Sequence, residues 1–275
     1  GVTIKDVQNS PFQKNIDYRG FTAAPLLGES QGLAVYLNGT RINEGFGDTL
    51  QWELVPEAAL TDIDLMSSNP VFGLNALGGS LALTTKKGLD FLNTDSSVEN
   101  HFEFGGADWV NGNIELGAGD ESQGLYVAME SSYDGGWRDN SAGDVKRLFI
   151  NYGKIFENSD FDFTFMNADS NLNGNGVSPT ELLKVRRESV FTWPDFTSNK
   201  VYLAASNANF YLEDDSVINT SVYYRRLIRD TLNADELDAE ECAEDNATHA
   251  EQLEDDFGTD DEPICGEADG DNYEV

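Results

Sequence analysis

Basic residues, cysteines and long apolar runs are all scarce in this chain of 275 residues. Lys and Arg number 17 against 50 Asp and Glu, for a formal net charge of −33. Nucleic acid is therefore not an expected partner, because neutralising phosphates takes clusters of Lys and Arg that this sequence lacks. No run of about 18 apolar residues occurs, which excludes a transmembrane helix. A membrane-spanning barrel stays open, since its alternating strands disappear in a hydropathy average. The 2 histidines, His101 and His249, are too far apart for a metal site or a catalytic triad, and no nucleophile–base pair is visible. Neither an enzyme nor a bound cofactor is expected. The opening GVTIKDVQNSPFQ has no basic, then apolar, then small-residue pattern, and Gly1 is not a natural start residue. The expectation is a processed or truncated piece that has lost any export signal.

Acid is plentiful and unevenly spread. Residues 231–275 hold 18 Asp or Glu and no Lys or Arg. Both cysteines, Cys242 and Cys265, lie in this segment. A pair of cysteines in a polar loop suits a disulfide in an oxidising compartment, with two free thiols or a metal pair as the alternatives. The acidic run itself is either a solvated loop or an attractor of cations. DSNLNG at 169–174 imitates the first half of a calcium loop, but Thr180 stands where the bidentate Glu belongs, so a turn is expected.

GLNALGGS at 73–80 has the glycine spacing of a phosphate-binding loop. That loop needs a lysine after its last glycine and a helix beyond, whereas Gly79 occupies the lysine position and SLALTTK at 80–86 reads as a strand. Nucleotide binding is not supported, and the glycines need another explanation.

The texture of the chain changes near residue 90. Residues 1–89 mix short strands with Gly and Pro turns: GLAVYLNGTRI at 32–42 is a hairpin around Asn38-Gly39, and PEAALTDIDLM at 56–66 starts as a short helix and passes into a strand. A compact α/β unit follows from this. Seven alternating segments come next, at about 98–104, 110–118, 125–133, 145–156, 161–166, 200–212 and 216–229. In the clearest of them Phe161, Phe163 and Phe165 make one face, with Asp162, Thr164 and Met166 behind. The links at 120–124, 157–160 and 213–216 are tight turns, and the links alternating with them include the long ones at 134–144 and 170–199. In an up-and-down sheet all the tight turns then fall on one rim and the long loops on the other, which is the pattern of outer-membrane barrels.

YRGF at 18–21, VYLNGTRINEGFGD at 35–48 and SNPVFGLNALGGSLALTTKKG at 68–88 resemble, in order and spacing, the plug domain of TonB-dependent outer-membrane receptors. DGGWRDNS at 134–141 and NLNGNGVSPTELLKVRRESVFTWPD at 171–195 look like the early barrel of the same family. The resemblance implies a plug domain over 1–89, without its first part, and then about seven strands of an incomplete transmembrane β-barrel over 90–275, with 231–275 as an acidic loop. It implies a Gram-negative outer membrane, lipid around the barrel, and energy-coupled uptake of a scarce small ligand. A ferric siderophore is the leading ligand, with cobalamin or an oligosaccharide next. The energy-coupling complex TonB-ExbB-ExbD would act through a segment that is missing here. A passive porin-like or adhesin barrel is the alternative function. Where the family often has Arg-Gly-Pro, this chain has Ser68-Asn69-Pro70.

The resemblance also points to candidate residues. The plug loops at 22–30 and 43–52 match the family's outward-facing positions. In the second, Asn43, Glu44, Phe46, Asp48 and Trp52 combine hydrogen-bonding groups with aromatic surface, as a ligand of mixed polarity needs, although Phe46 and Trp52 equally suit packing of plug against barrel. Arg19 is a candidate plug–barrel contact, pairing with Glu103 or Glu130 or else fixing its own loop. Trp109, Trp137 and Arg138 sit on the long-loop rim, as an aromatic belt or as ligand-stacking groups.

Overall fold

The computed structural model describes residues 1–8, 10–67, 75–176, 178–214 and 216–232, and the backbone alone of 240–241 and 264–265. Gly73 and Leu74 of the phosphate-loop imitation, Ser68-Asn69-Pro70 and Cys242 lie outside the described residues, as do the side chain of Cys265 and hence any bridge between the cysteines.

Three sheets make up the fold of residues 1–232, and the backbones of Glu240–Glu241 and Ile264–Cys265 pair antiparallel as a fourth of two strands. The first is antiparallel, in the order β1 (Val2–Val7), β2 (Ser10–Tyr18), β3 (Phe21–Ala23). The second has four strands in the order β5 (Thr40–Arg41), β4 (Leu33–Leu37), β7 (Gly79–Thr85), β6 (Leu60–Ser67). The β4–β5 hairpin turns at Asn38 (φ 47°) and Gly39 (φ 84°), the left-handed conformation that an Asn-Gly turn supplies at least cost. SLALTTK is a strand, as expected, and runs down the middle of this sheet: β7 pairs in parallel with β4 and antiparallel with β6. The helix expected at Pro56 is a single 3-10 turn, Glu57–Ala59, preceded by another at Trp52–Leu54. Only three residues separate Pro56 from Leu60, which already pairs with Thr85, so the segment has no room for a longer helix. Among the described residues the sole α-helix is α1 (Thr180–Val185), which lies in a loop.

The third sheet contains all seven strands read from the alternation: β8 (Thr94–Phe104), β9 (Val110–Gly119), β10 (Gln123–Asp134), β11 (Gly143–Phe156), β12 (Ser159–Asn173), β13 (Phe196–Tyr211) and β14 (Val217–Leu232). Each strand pairs antiparallel with its neighbour in sequence, so β8 and β14 are the two edges. The links at 120–122, 157–158 and 212–216 share one rim, and those at 105–109, 135–142 and 174–195 share the other.

The two faces of this sheet differ in kind. Val98, Phe102 and Phe104 on β8 are 64%, 60% and 76% exposed, and Leu125, Met129, Phe163, Phe210 and Val222 point the same way. From Leu148 to Phe156 along β11 this outward face covers eight residue steps, roughly 27 Å of strand. With the ~40° tilt usual for barrel strands that becomes about 20 Å, near the height of an outer-membrane apolar band. No helix among the described residues is long and apolar enough to cross a membrane.

Over its middle strands the inward face is covered by described parts of the first 91 residues. Leu33, Val35, Leu37, Leu81 and Leu83 of the four-stranded sheet form one buried cluster with Tyr126, Ala128, Phe149, Met166, Val201 and Leu203 of the large sheet. Tyr126 and Phe149 are wholly buried there, and a side chain of that size contributes about 1.5–3 kcal/mol when fully buried. Closest approach comes at Gly88 and Gly124. A Cβ on Gly88 would lie 2.1 Å from the Gly124 carbonyl oxygen, and one on Gly124 would lie 2.0 Å from the Gly88 carbonyl oxygen. Only two glycines let the backbones meet so closely, and the Gly88 N–H then donates to Asn151 Oδ1 at 2.7 Å.

Candidate ligand-binding site

Two loops that are apart in sequence are stitched together beside the edge strand β14. Gln31 does much of this: its Oε1 accepts from the Ala24 N–H, and its Nε2 donates to the Ala24 and Leu26 carbonyls at 3.3 and 3.2 Å. Leu50 N–H donates to the Ala24 carbonyl (2.9 Å) and Gln51 Nε2 to the Pro25 carbonyl (3.1 Å), so loop 22–31 is fastened to loop 43–52. Between them and β14 lies a cavity of about 850 Å³, lined among others by Glu29, Arg41, Glu44, Asp48, Leu77, Tyr223 and Arg225.

Charge pairs frame this cavity. Arg41 Nη2 donates to Asp48 Oδ1 at 2.5 Å, and Asn75 Nδ2 donates to the other carboxylate oxygen of Asp48. Burial raises the Asp48 carboxyl above its ordinary range, against the lowering effect of Asn75 and Arg41. Arg225 sends its two terminal nitrogens to the two oxygens of Glu44, at 3.1 and 2.6 Å. That fork joins a plug loop to a barrel strand with the planar geometry an arginine matches best.

The candidate residues from the sequence fall into separate groups. Glu44 and Asp48 line the cavity with their charged groups engaged as described. Asn43 also lines it, but its amide serves the loop, accepting from Val35 N–H (2.7 Å) and donating to the Leu33 and Asp48 carbonyls. Phe46, 80% exposed, stands at the tip between Gly45 and Gly47. Trp52 is buried in the shared core, and its Nε1 donates to the Ala23 carbonyl at 2.9 Å.

On the long-loop rim, Trp109 turns inward and stacks on Phe12 of β2, with ring centroids 5.3 Å apart, so it faces the plug instead of forming a belt. The tight turn at 105–109 brings it there. Trp137 remains half exposed beneath the Arg138 guanidinium, which lies 5.7 Å from the ring. Arg138 itself is buried and donates to Ser178 Oγ (2.8 Å) and the Ser189 carbonyl (2.5 Å), tying loop 135–142 to loop 174–195.

Arg19 is exposed and sits over the ring of its neighbour Tyr18, 4.9 Å from the centroid, and does not reach Glu103 or Glu130. Plug–barrel ion pairs come instead from Arg225 with Glu44, Lys86 with Glu115, Lys87 with Asp162 and, most deeply buried, Arg147 on β11. Its Nη1 donates to Glu130 (2.7 Å), its Nη2 to Glu57 (3.2 Å) and its Nε to the Glu53 carbonyl (2.6 Å), while Glu130 accepts from Ala58 N–H (2.5 Å). Next to this clasp, the Glu53 carboxylate is wholly buried and accepts from Asn199 Nδ2 at 2.9 Å. Asn199 Oδ1 in turn accepts from Arg229 Nε at 2.8 Å. Burial pushes the Glu53 carboxyl up to about 7, against the pull of Arg229, Asn199 and Arg147. The sequence reading missed Arg41, Arg147, Asn199 and Arg225. For Arg147 and Arg225 a signal was present, because the alternation of their segments already put them on the face opposite the apolar one.

A smaller cleft of about 290 Å³ opens on the outward face between Tyr133, Asn171 and Phe196, away from the plug loops.

No protein-family model matches the chain, and no curated protein matches it. Solved structures do share its fold. The ferric citrate transporter FecA in its unliganded form superposes with a TM-score of 0.67 at 16% identity, over 86% of this chain and 37% of that one. The ferric yersiniabactin uptake receptor FyuA from Yersinia pestis gives 0.64 at 15% identity, over 86% and 38%. The copper transporter OprC gives 0.59 at 14% identity, over 82% and 33%. The chain thus spans a little over a third of the length of the first two. Its fold is that of TonB-dependent outer-membrane receptors, as the sequence resemblance implied.

Proposed function

We propose that the chain is the plug, with a boundary near residue 90, and the first seven barrel strands of a TonB-dependent receptor in a Gram-negative outer membrane. In this reading the full-length protein binds a scarce small ligand outside the cell and takes it up with energy from the TonB-ExbB-ExbD complex. A ferric siderophore is the first ligand to test, with cobalamin and oligosaccharides next. The observation that carries the reading is the pairing of two faces on one sheet: an outward apolar face of barrel-strand character, and an inward face gripped by a folded plug through Arg147, Asn199 and Gly124. A filled interior counts against a passive pore, and the structures of like fold are transporters and receptors, which favours transport over catalysis. Ligand contact is assigned to Glu44, Phe46 and Asp48 of the plug, with Trp137 at the rim. Asn43, Trp52, Trp109 and Arg138 are assigned to holding those groups in place.

The test is deletion of the full-length gene, followed by growth and uptake on single sources of chelated iron, cobalamin or oligosaccharide. Loss of uptake of one ligand class, restored by the intact gene and abolished when the energy-coupling complex is inactivated, supports the reading. Uptake that persists without energy coupling, or a product that fractionates outside the outer membrane, overturns it.

A further inference from the structure

The charge of the ligand can be read from the ion pairs of the cavity, given the receptor reading above, on which this inference rests. Both lining guanidiniums are already committed: Arg41 to Asp48, and Arg225 to both oxygens of Glu44. Glu29, exposed on the facing loop, is the lining charge with no ion-pair partner among the described residues. The amides of Gln31 and Asn43 are occupied by backbone groups. Among the described lining residues an anion entering here would meet no free cation and would have to break one of the two pairs, exposing a carboxylate beside itself. A cation would meet Glu29 without disturbing either. Apolar surface is on offer as well: Leu77 of the lining is 68% exposed, and Phe46, 80% exposed, stands between the lining residues Gly45 and Gly47. The long-range field has the same sign, with a net charge of −33 that draws cations toward the protein and repels anions.

We propose that the cavity takes a ligand of net positive charge, its cationic group against Glu29 and an apolar or ring surface against Phe46 and Leu77. Such a ligand combines an ammonium or similar cation with a bulky body, as a positively charged metal chelate does. The Glu44–Arg225 pair acts as a charge filter: while it is closed, the arginine is withheld from anions.

The experiment compares two ferric chelates on the full-length protein: a trihydroxamate with a free ammonium, singly positive, and a tris-catecholate, triply negative. The positive chelate is expected to bind at least about tenfold more tightly at low salt, with the advantage shrinking as ionic strength rises. Glu29→Gln should remove that advantage while outer-membrane insertion stays intact. Glu44→Gln, which frees the Arg225 guanidinium, should raise the affinity for the negative chelate. Equal or tighter binding of the negative chelate by the unmodified protein overturns the inference and leaves the receptor reading standing. Binding of neither chelate also overturns it, and the receptor reading is then decided separately by the uptake screen.

Discussion

The two faces of the seven-stranded sheet are built from the same strands, residue by residue in alternation, yet they obey opposite rules. On the outward face Phe102, Phe104, Phe163 and Val222 stay exposed without specific partners, and their placement needs only an apolar surrounding. On the inward face Arg147, Asn151 and Asn199 are buried and each is held by a named group of the plug. The outer surface therefore tolerates exchange among apolar residues, while the inner surface depends on identity and geometry. Stability of the plug in its seat is concentrated in a few inward contacts.

Substitutions that break this contrast should show it most clearly. The largest effect is expected from Gly88→Val, since a side chain would be driven into the Gly124 backbone; the plug should fail to seat, read as loss of the protease-resistant form of the full-length protein. Arg147→Ala should cost about 3–5 kcal/mol by leaving the buried Glu130 unpaired, measured as a fall in the urea midpoint of plug unfolding. A change of less than ~1 kcal/mol would show that the clasp does not hold the plug.

Glu53 gives a pH test. Its folded-state value of about 7 lies above its ordinary 4.5, so between these limits the folded protein keeps a proton that the unfolded chain releases. Stability should then be greatest below about pH 4.5 and fall by about 3 kcal/mol as pH rises through 7. Glu53→Gln should flatten this slope. If the pH dependence is unchanged in the variant, Glu53 is not its source. The smallest effects belong to the outer face: Phe163→Arg should cost about 2–4 kcal/mol in a bilayer, Phe210→Arg near the short-turn rim only about 0–1, and Phe163→Leu little. Equal costs at the two arginine positions would argue that the face does not meet lipid as a graded layer.

What could be read from the sequence divides along the same line. All seven strands were visible, because an alternation of period two survives in a single sequence; the parity of their links holds except at 105–109, a short link on the long-loop rim. The Asn38-Gly39 hairpin was visible because its turn chemistry is local. The inward partners were not, since nothing local says that Glu53 meets Asn199 or that Arg225 meets Glu44; those pairs depend on how the plug sits against the sheet. The explanation that the glycine-rich stretch needed is not local either: Gly79 (φ 151°) makes a close approach within the plug, its would-be Cβ 2.6 Å from the Met66 carbonyl oxygen. Plug and barrel meet instead at Gly88, a few residues later. Trp109 had the composition of a belt residue and was claimed by Phe12, which no rim pattern announces.

The Glu53–Asn199 contact has a consequence in time. The two residues are 146 positions apart, whereas the pairing of β4 with β5 is complete within a handful of residues. Closing so long a loop is slow and comes after local pairing. The plug sheets can therefore form as soon as their own residues are available, but the carboxylate of Glu53 stays in water until β13 has been added to the growing wall. Until then the group is ionised and hydrated, and it is stripped of water only when the sixth strand of the wall arrives. Order of assembly is thus written into the chain: the plug folds early and is locked late.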